Sequence, residues 1–435
     1  MLSLALVTLL VPQSQWVVDA AGGPGVDFVD LPPAVAAATH GDTILVRAGT
    51  YAPFQVTGKA LTIRGAGAGP SIVRHPDLGT GSAIRAVPAG SVFHLQGLEF
   101  APPSAARIAD GELATLLVQN AAGVVSIAHC RLLGGQTLNT QLATDALQVD
   151  HAAVYAFASR FAGGRVSHFF SLTSRGGHGI EATNGALVVA TDCELLGGDA
   201  STLKGSAAIG GAGLELNSAL ATLHDCRCRG GSGSAGRGVG TGGAGVHLGS
   251  LGSFARLAGG APAEARAGAG SRVSGVAIDV TAGAGTVVVH DDVTLVPVAP
   301  GDPLVRGAVT LGAPHLPRLL VSSLPTPNGE LPRSQRVDID VVLDGAFAGA
   351  PVLFAFAAAP QLAAPQLPFT LGELVLPPTR FAAAALLDGA GTFHHEFPPP
   401  TTPALLDQPV FAQAAVLDVA AGRVRLSNFD VHLHR

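Results

Sequence analysis

The chain has 435 residues, of which 48% are apolar, 5% aromatic and 13% charged, with a formal net charge of -6. So large an apolar share excludes a disordered chain, and 57 glycines without a three-residue period exclude a collagen-like one. An acidic balance in which Lys59 and Lys204 are the only lysines leaves no basic footprint for nucleic acid.

The first element is apolar: Leu2 to Val11 reads LSLALVTLLV, followed by Pro12, Gln13, Ser14 and Gln15. The run is too short to span a bilayer but suits the core of a secretory signal, so residues 1–15 are expected to be a signal peptide. A buried N-terminal strand is the alternative. No other segment is long and apolar enough to cross a membrane, and the mature protein is expected to be secreted or held at the cell surface.

From Trp16 a short strand and a Gly/Pro turn lead into Leu31–Thr39, which is Ala-rich with apolar residues at helical spacing and Pro32 and Pro33 in its first turn. Strands are expected at Thr43–Arg47 and Ala60–Arg64. The phrases GDTILVRAGTY and KALTIRG resemble the entry cap of pectate-lyase-like right-handed parallel β-helix proteins. That resemblance implies an amphipathic helix covering the first coil, which keeps an open strand stack from recruiting other chains.

Internal repetition is the strongest signal. LLVQN at Leu116, LQVDH at Leu147, IEATN at Ile180, LELNS at Leu214, VHLGS at Val246 and IDVTA at Ile278 recur roughly every 32 residues. Their first and third residues are apolar, the two-residue period of a strand. Second phrases follow, HCRLLGG, ASRFAGG, DCELLGG, DCRCRGG and FARLAGG, closing at Gly135, Gly164, Gly198, Gly231 and Gly260. Strands repeating at this interval without helices must stack on their equivalents, about 4.8 Å apart. The fold class is therefore all-β: a right-handed parallel β-helix over residues 16–299, its hand taken from the crossover rule and the resemblance. Gly-rich stretches such as Ser232–Gly245 are expected to be variable loops on one side.

Stacking turns the repeat into columns of side chains. Cys130, Ser159, Cys193, Cys226 and Ala255 form an inward column, with Cys228 two residues further along its strand. Cys193 and Cys226 stand on adjacent coils, close enough for a disulfide, but parallel side chains favour buried thiols as small core residues. Outside on the same strand run Arg131, Arg160, Glu194, Arg227 and Arg256, beside His129, Asp192 and Asp225. Guanidiniums so close repel unless anions intervene, and either an acidic polysaccharide or the chain's own acids can supply them. The third column is Leu117, Gln148, Glu181, Glu215, His247 and Asp279. Glu181 and Glu215 are the candidate catalytic pair, since carboxyl groups on adjacent coils approach the separation used in glycoside hydrolysis and push their pKa values apart. Ca2+ held by these acids with Asp279, or a plain exposed polar stripe, are the other readings. The substrate-binding candidates are Arg131, Arg160, Glu194, Arg227, Arg256, His247 and Asp279; no metal ligands are assigned.

The phrase GGHGIE, Gly176 to Glu181, resembles the GHG segment of polygalacturonases, which implies a functional His178. The paired-Asp and Arg-x-Lys motifs of that family are missing, and Thr144 with Asp145 does not replace them. Pectate-lyase chemistry, which the cap resemblance implies, calls for clustered acids and a base beside a uronate, and no column provides a lysine for it.

After Val298 a Pro-rich exit is expected over 300–336. Short alternating strands follow over 337–435: VDIDVVL, APVLFAFA, GELVLPP, GTFHHEF, FAQAAVLD and RVRLSNFDVHLH. They read as an antiparallel β-sandwich, and this module resembles C-terminal modules of exported bacterial β-helix proteins. His394, His395 and Glu396, or His432 and His434, are explained by strand alternation better than by a metal. Missing motifs and added sandwich favour a polysaccharide-binding or scaffold protein outside the cell. The alternative is a polysaccharide-degrading enzyme, a uronate lyase or a glycoside hydrolase, acting on the solenoid side face.

Overall fold

The computed structural model describes residues 14–75, 81–102, 114–138, 143–168, 173–204, 207–236, 238–259, 263–313, 316–321, 330–331, 337–343, 345–357, 370–371, 382–397 and 409–434. The signal expected at 1–15 and the strand expected at GELVLPP lie almost wholly outside them.

The chain is a parallel β-solenoid followed by antiparallel sheets. All six aligned segments are consecutive rungs of one parallel sheet, in the register Leu116, Leu147, Ile180, Leu214, Val246, Ile278. This sheet has nine strands among the described residues, because Gln55–Thr57 and Ser82–Arg85 precede those rungs and Val305–Arg306 follows. The inward Leu, Ile and Val side chains are fully buried in one continuous core. At about 1.5–3 kcal/mol per large apolar side chain, this column is the main cohesive term of the solenoid.

The other side of the core is an eighteen-stranded sheet to which most coils contribute two strands. The corner between the two strands is a single residue of positive φ: His129 (52°), Ala158 (44°), Asp192 (52°) and Asp225 (56°). The polar column read beside the arginines is thus a corner column, where Asp and His tolerate the left-handed region better than most residues. A second corner column, Asn120, His151, Asn184 and Ser218, closes the nine-stranded sheet in the same way.

Between the two sheets the coils from Gly164 to Gly268 narrow to a glycine neck. Its hydrogen bonds zigzag from coil to coil: Gly177 N–H donates to Gly164 C=O (3.0 Å), Gly198 to Gly177 (2.8 Å), Gly211 to Gly198 (2.8 Å), Gly231 to Gly211 (2.8 Å) and Gly243 to Gly231 (2.8 Å). The outgoing and returning backbones lie so close that a Cβ on Gly198 would sit 1.8 Å from the Gly164 oxygen. Only glycine fits such an approach.

Beyond the neck the expected variable loops are themselves ordered. They form a four-stranded parallel sheet (Thr137–Leu138, Val166–His168, Ala200–Thr202, Gly233–Ala235) and a three-stranded one (Thr173–Arg175, Ala207–Ile209, Val239–Thr241). The two pack face to face through small side chains, Val166, Ala200, Ala208 and Ala235 among them. Each coil thus sends a two-layered wall out from the neck and back.

Two expectations are corrected. Arg131, Arg160, Glu194 and Arg227 do stack, but the next rung is Glu264. Arg256 pairs with Thr222 and Ala255 with Ala221, one strand earlier in the coil. Gly259 takes the corner position, with φ 116°, and the second strand starts only at Glu264, so the neck of that coil falls at Gly268. Parallel pairing also continues past Val298, through Val305–Arg306 and Val309–Ala313.

At the N-terminal end a seven-residue helix, Leu31–Ala37, starts from the Asp30 cap with Pro in its first turn and buries Leu31, Ala34 and Val35. It is the only α-helix among the described residues. Cys130, Cys193, Cys226 and Cys228 are buried and unbridged, and burial pushes the Cys130 thiol up to about 12. At the C-terminus Arg318–Val321, Val337–Val342 and Thr392–Phe397 form an antiparallel sheet. It shares a core with a second, largely antiparallel sheet through Leu319, Ile339, Val341, Val352, Phe354 and Val416. The far face of that second sheet, with Ala355, Phe411 and Val431, packs on Val124, Ala153, Tyr155 and Val189 of the solenoid. An ion pair between Arg318 and Asp225 (3.0 Å) adds to this seam.

Gly198→Ala should prevent folding or lower stability by roughly 3 kcal/mol or more, as expected of overpacking against backbone. Gly389→Ala, where no atom lies within 4 Å of the added Cβ, should change stability by less than about 0.5 kcal/mol. Urea denaturation of both variants checks this.

Candidate active site

The outward residues of the nine-stranded sheet form a ladder in strict register: Leu117, Gln148, Glu181, Glu215, His247, Asp279 and Arg306. Adjacent rungs are about 4.8 Å apart, and three of these neighbouring pairs are bonded. Gln148 Nε2 donates to Glu181 Oε2 (3.1 Å), His247 Nδ1 to Glu215 Oε2 (2.7 Å) and Arg306 to Asp279 Oδ2 (3.2 Å).

Glu215 is the most enclosed rung, 4% exposed. Arg175, on a wall strand, reaches over the ladder and places its guanidinium 3.5 Å from Glu215 Oε2. Burial alone would raise this carboxyl's pKa. The His247 hydrogen bond and the charges of His247 and Arg175 more than offset it, and Glu215 is held below its ordinary value of 4.5. His247 responds in the opposite sense. Burial lowers it, but the hydrogen bond and charge of Glu215 win and lift it above 6.5.

One coil earlier the electrostatics reverse. Asp145 lies at the start of its strand, 5% exposed, with Oδ1 accepting from the backbone N–H of His178. Burial first, and then the charge of Glu181, push Asp145 well above the usual carboxylate range. Glu181 is also raised, by burial and by the charge of Glu215, although hydrogen bonds from Asp145 and Gln148 oppose this. The two carboxyl groups act on each other, so they titrate as one unit that retains a proton above the ordinary carboxylate range. His178 stands beside them. Its Nδ1 accepts from the Ala212 N–H (2.9 Å), which places the ring proton on Nε2. Burial lowers its pKa to about 4. The 3.9 Å approach of His178 Nδ1 to Glu215 Oε2 is therefore a contact of a neutral ring with a carboxylate, not an ion pair.

The expected site residues thus divide between two faces. Glu181, Glu215, His247 and Asp279 come together on the ladder. Arg131, Arg160, Glu194 and Arg227 belong to the eighteen-stranded sheet, and Arg256 stands apart from them. Ca2+ is not favoured by the ladder geometry: Glu215 oxygens are engaged by His247 and Arg175, and Asp279 by Arg306, so the three acids do not converge. Among the described residues no group of three or more His, Cys, Asp or Glu side chains is arranged for a metal.

Sequence reasoning passed over Asp145, His178 and Arg175 as members of one site. The first two were detectable, because each stands three residues before the ladder rung of its coil, where the later coils carry Ala212 and Ala244. Arg175 was not, since only the folded wall brings it to Glu215.

No family model matches the chain, and no curated protein does. Comparison with solved structures finds the crystal structure of pectate lyase Pel9A, at 12% identity and a TM-score of 0.31, over 69% of this chain and 78% of that one. A likeness this slight carries nothing about the chemistry of the ladder.

The His247–Glu215 pair has a definite pH signature. Glu215, lowered, stabilises the fold above 4.5 and loses this as pH falls through its folded value; His247, raised, stabilises below 6.5 and loses this as pH rises through its folded value. His247→Gln should therefore cost most, about 1.5–3 kcal/mol, between these two ordinary values. Thermal melts of both proteins at pH 4 to 8 should show the gap narrowing on either side.

Proposed function

We propose that the ladder face hydrolyses a polysaccharide laid along the solenoid, outside the cytoplasm. The observation that carries this reading is the separation of acid strengths over three successive coils. A proton-sharing pair, Asp145 and Glu181, adjoins a carboxylate, Glu215, that is held ionised. Glycosidic bond hydrolysis needs an acid that keeps its proton and a carboxylate that does not, and environments that push two carboxyl groups apart assign those roles. A stripe kept for solubility alone has no use for a buried carboxyl pair whose desolvation opposes folding.

In this reading Glu181, the half-exposed member of the pair, gives its proton to the leaving glycosidic oxygen as the C–O bond breaks. Asp145, behind it, keeps that proton in place at neutral pH. Glu215, one rung away, attacks the anomeric carbon as that bond breaks, and the resulting ester is then cleaved by a water whose proton returns to Glu181; His247 and Arg175 hold Glu215 ionised and oriented. Elimination is less well supported, because Arg175, the exposed cation beside the acids, is paired with Glu215. The protein's charge and repeat support an extended glycan as the partner, lying parallel to the ladder.

The test is release of reducing ends from a panel of charged and neutral polysaccharides, with absorbance of unsaturated uronate read in parallel. Glu181→Gln and Asp145→Asn should lower kcat by about 10²–10⁴ without unsaturated product in any sample. The pH profile should be bell-shaped. Its acid limb falls below 4.5, where Glu215 protonates, and its alkaline limb lies above the ordinary carboxylate range, where the pair loses its shared proton. Unchanged activity in both variants, or unsaturated products, would overturn the assignment.

A stability measurement bears on the same reading. The folded pair holds a proton that the unfolded chain has lost above about 4.5, so its contribution to stability falls as pH rises through that range. Glu181→Gln should therefore melt higher than the wild type at pH 7, with the difference shrinking toward pH 4. Inactivation with gain of stability marks a group kept for function.

A further inference from the structure

The opposite flank of the wall carries an excess of positive charge that the ladder does not use. The outward column of the second strands runs Glu99, Arg131, Arg160, Glu194, Arg227, Glu264 in register. Its acids are already engaged. Glu99 pairs with Arg131 (2.9 Å) and Glu194 with Arg160 (3.3 Å). Glu264 is shared by Arg229 (2.6 Å) and Arg266 (3.4 Å) of the neighbouring column. Arg227, between Glu194 and Glu264, is exposed and has no ion pair among the described residues. Asp225, at the corner before Arg227, is turned to His224 and Arg318.

Arg229 and Arg266 share the Glu264 carboxylate, and Arg227, its register neighbour, has no ion pair with it, so these four residues carry an excess of two positive charges. Arg229 and Arg266 are register neighbours, about 4.8 Å apart, and their side chains are 42% and 44% exposed. Glu264 between them balances one of these two charges and leaves the other, with that of Arg227, uncompensated. Above them the wall presents a column of serines, Ser167, Ser201 and Ser234, on the face turned away from its own core.

We propose that this flank binds an anionic glycan, its carboxylate or sulfate groups seated between Arg227, Arg229 and Arg266 and its hydroxyls against the serine column. A guanidinium takes either anion with two parallel hydrogen bonds. Arg227 and Arg229 stand two residues apart on one strand and Arg266 on the next coil, a spread patch that suits neighbouring anions of one chain. A net charge of -6 and the absence of a wider basic surface argue against nucleic acid as the occupant. The site is independent of the ladder, and its occupancy does not require that the ladder be catalytic.

The test is calorimetric titration of the full chain with polygalacturonate, dextran sulfate and neutral dextran, repeated in Glu181→Gln so that cleavage and binding are read separately. At least one charged polymer should bind, more weakly at higher salt, and neutral dextran should not. Arg227→Ala, which leaves every ion pair intact, should weaken binding about tenfold, and Arg227→Glu more. Arg131→Ala removes the same charge from a residue engaged by Glu99 and should leave binding unchanged. Tighter binding of polygalacturonate identifies carboxylate as the anion read, and of dextran sulfate, sulfate. Binding of neither charged polymer, equal binding of neutral dextran, or equal losses in Arg131→Ala and Arg227→Ala would overturn the proposal.

Discussion

In the coils from Gly164 to Gly268 two stretches of backbone pass each other at hydrogen-bond distance, with no side chain between them. The rest of the architecture depends on that close approach. Below the neck it seals the apolar core, so that Leu, Ile and Val columns on both sheets meet without solvent. Above it the chain is free to run out and return as two small sheets whose contents do not disturb the core. Every glycine in the neck loses more conformational freedom on folding than another residue would. The zigzag of N–H···O=C bonds and the burial it permits offset that loss coil after coil.

The neck also fixes where chemistry can stand. Asp145 and His178 immediately follow it on entering the nine-stranded sheet, and Arg175 immediately precedes it on leaving the wall. Three side chains from different sheets are thereby gathered at Glu181 and Glu215. Because a parallel solenoid repeats each position about every 4.8 Å, a charge introduced on one coil is felt directly by the next. Glu215 has cationic neighbours and remains ionised, while Asp145 and Glu181 have each other and retain a proton. The wall divides this face from the arginine face, so opposite electrostatic characters coexist on one narrow body.

Much of this was legible in the sequence. The six segments beginning at Leu116 gave their register without error, because a buried strand column tolerates no one-residue slip. Glu181 and Glu215 followed from that register. The coil containing Arg256 misled for a local reason: Gly259 and Gly260 look like a neck, but Gly259 stands at the corner and the second strand begins only at Glu264. The wall strands escaped notice because Ser, Gly and Ala at alternate positions carry almost no hydrophobic signal; their pairing comes from stacking on the same strands of adjacent coils.

By itself, then, the sequence determined the repeat, the direction in which residues face and the identity of the ladder rungs, since all three follow from a period of two within strands and roughly 32 between them. Tertiary structure alone decided which charges meet. Arg175 reaches Glu215 across the neck, Arg318 reaches Asp225 from 93 residues away, and Glu264 takes the place read for Arg256. Those contacts depend on how far each coil travels outside the core before it returns. That length varies from coil to coil, and apolar periodicity does not record it.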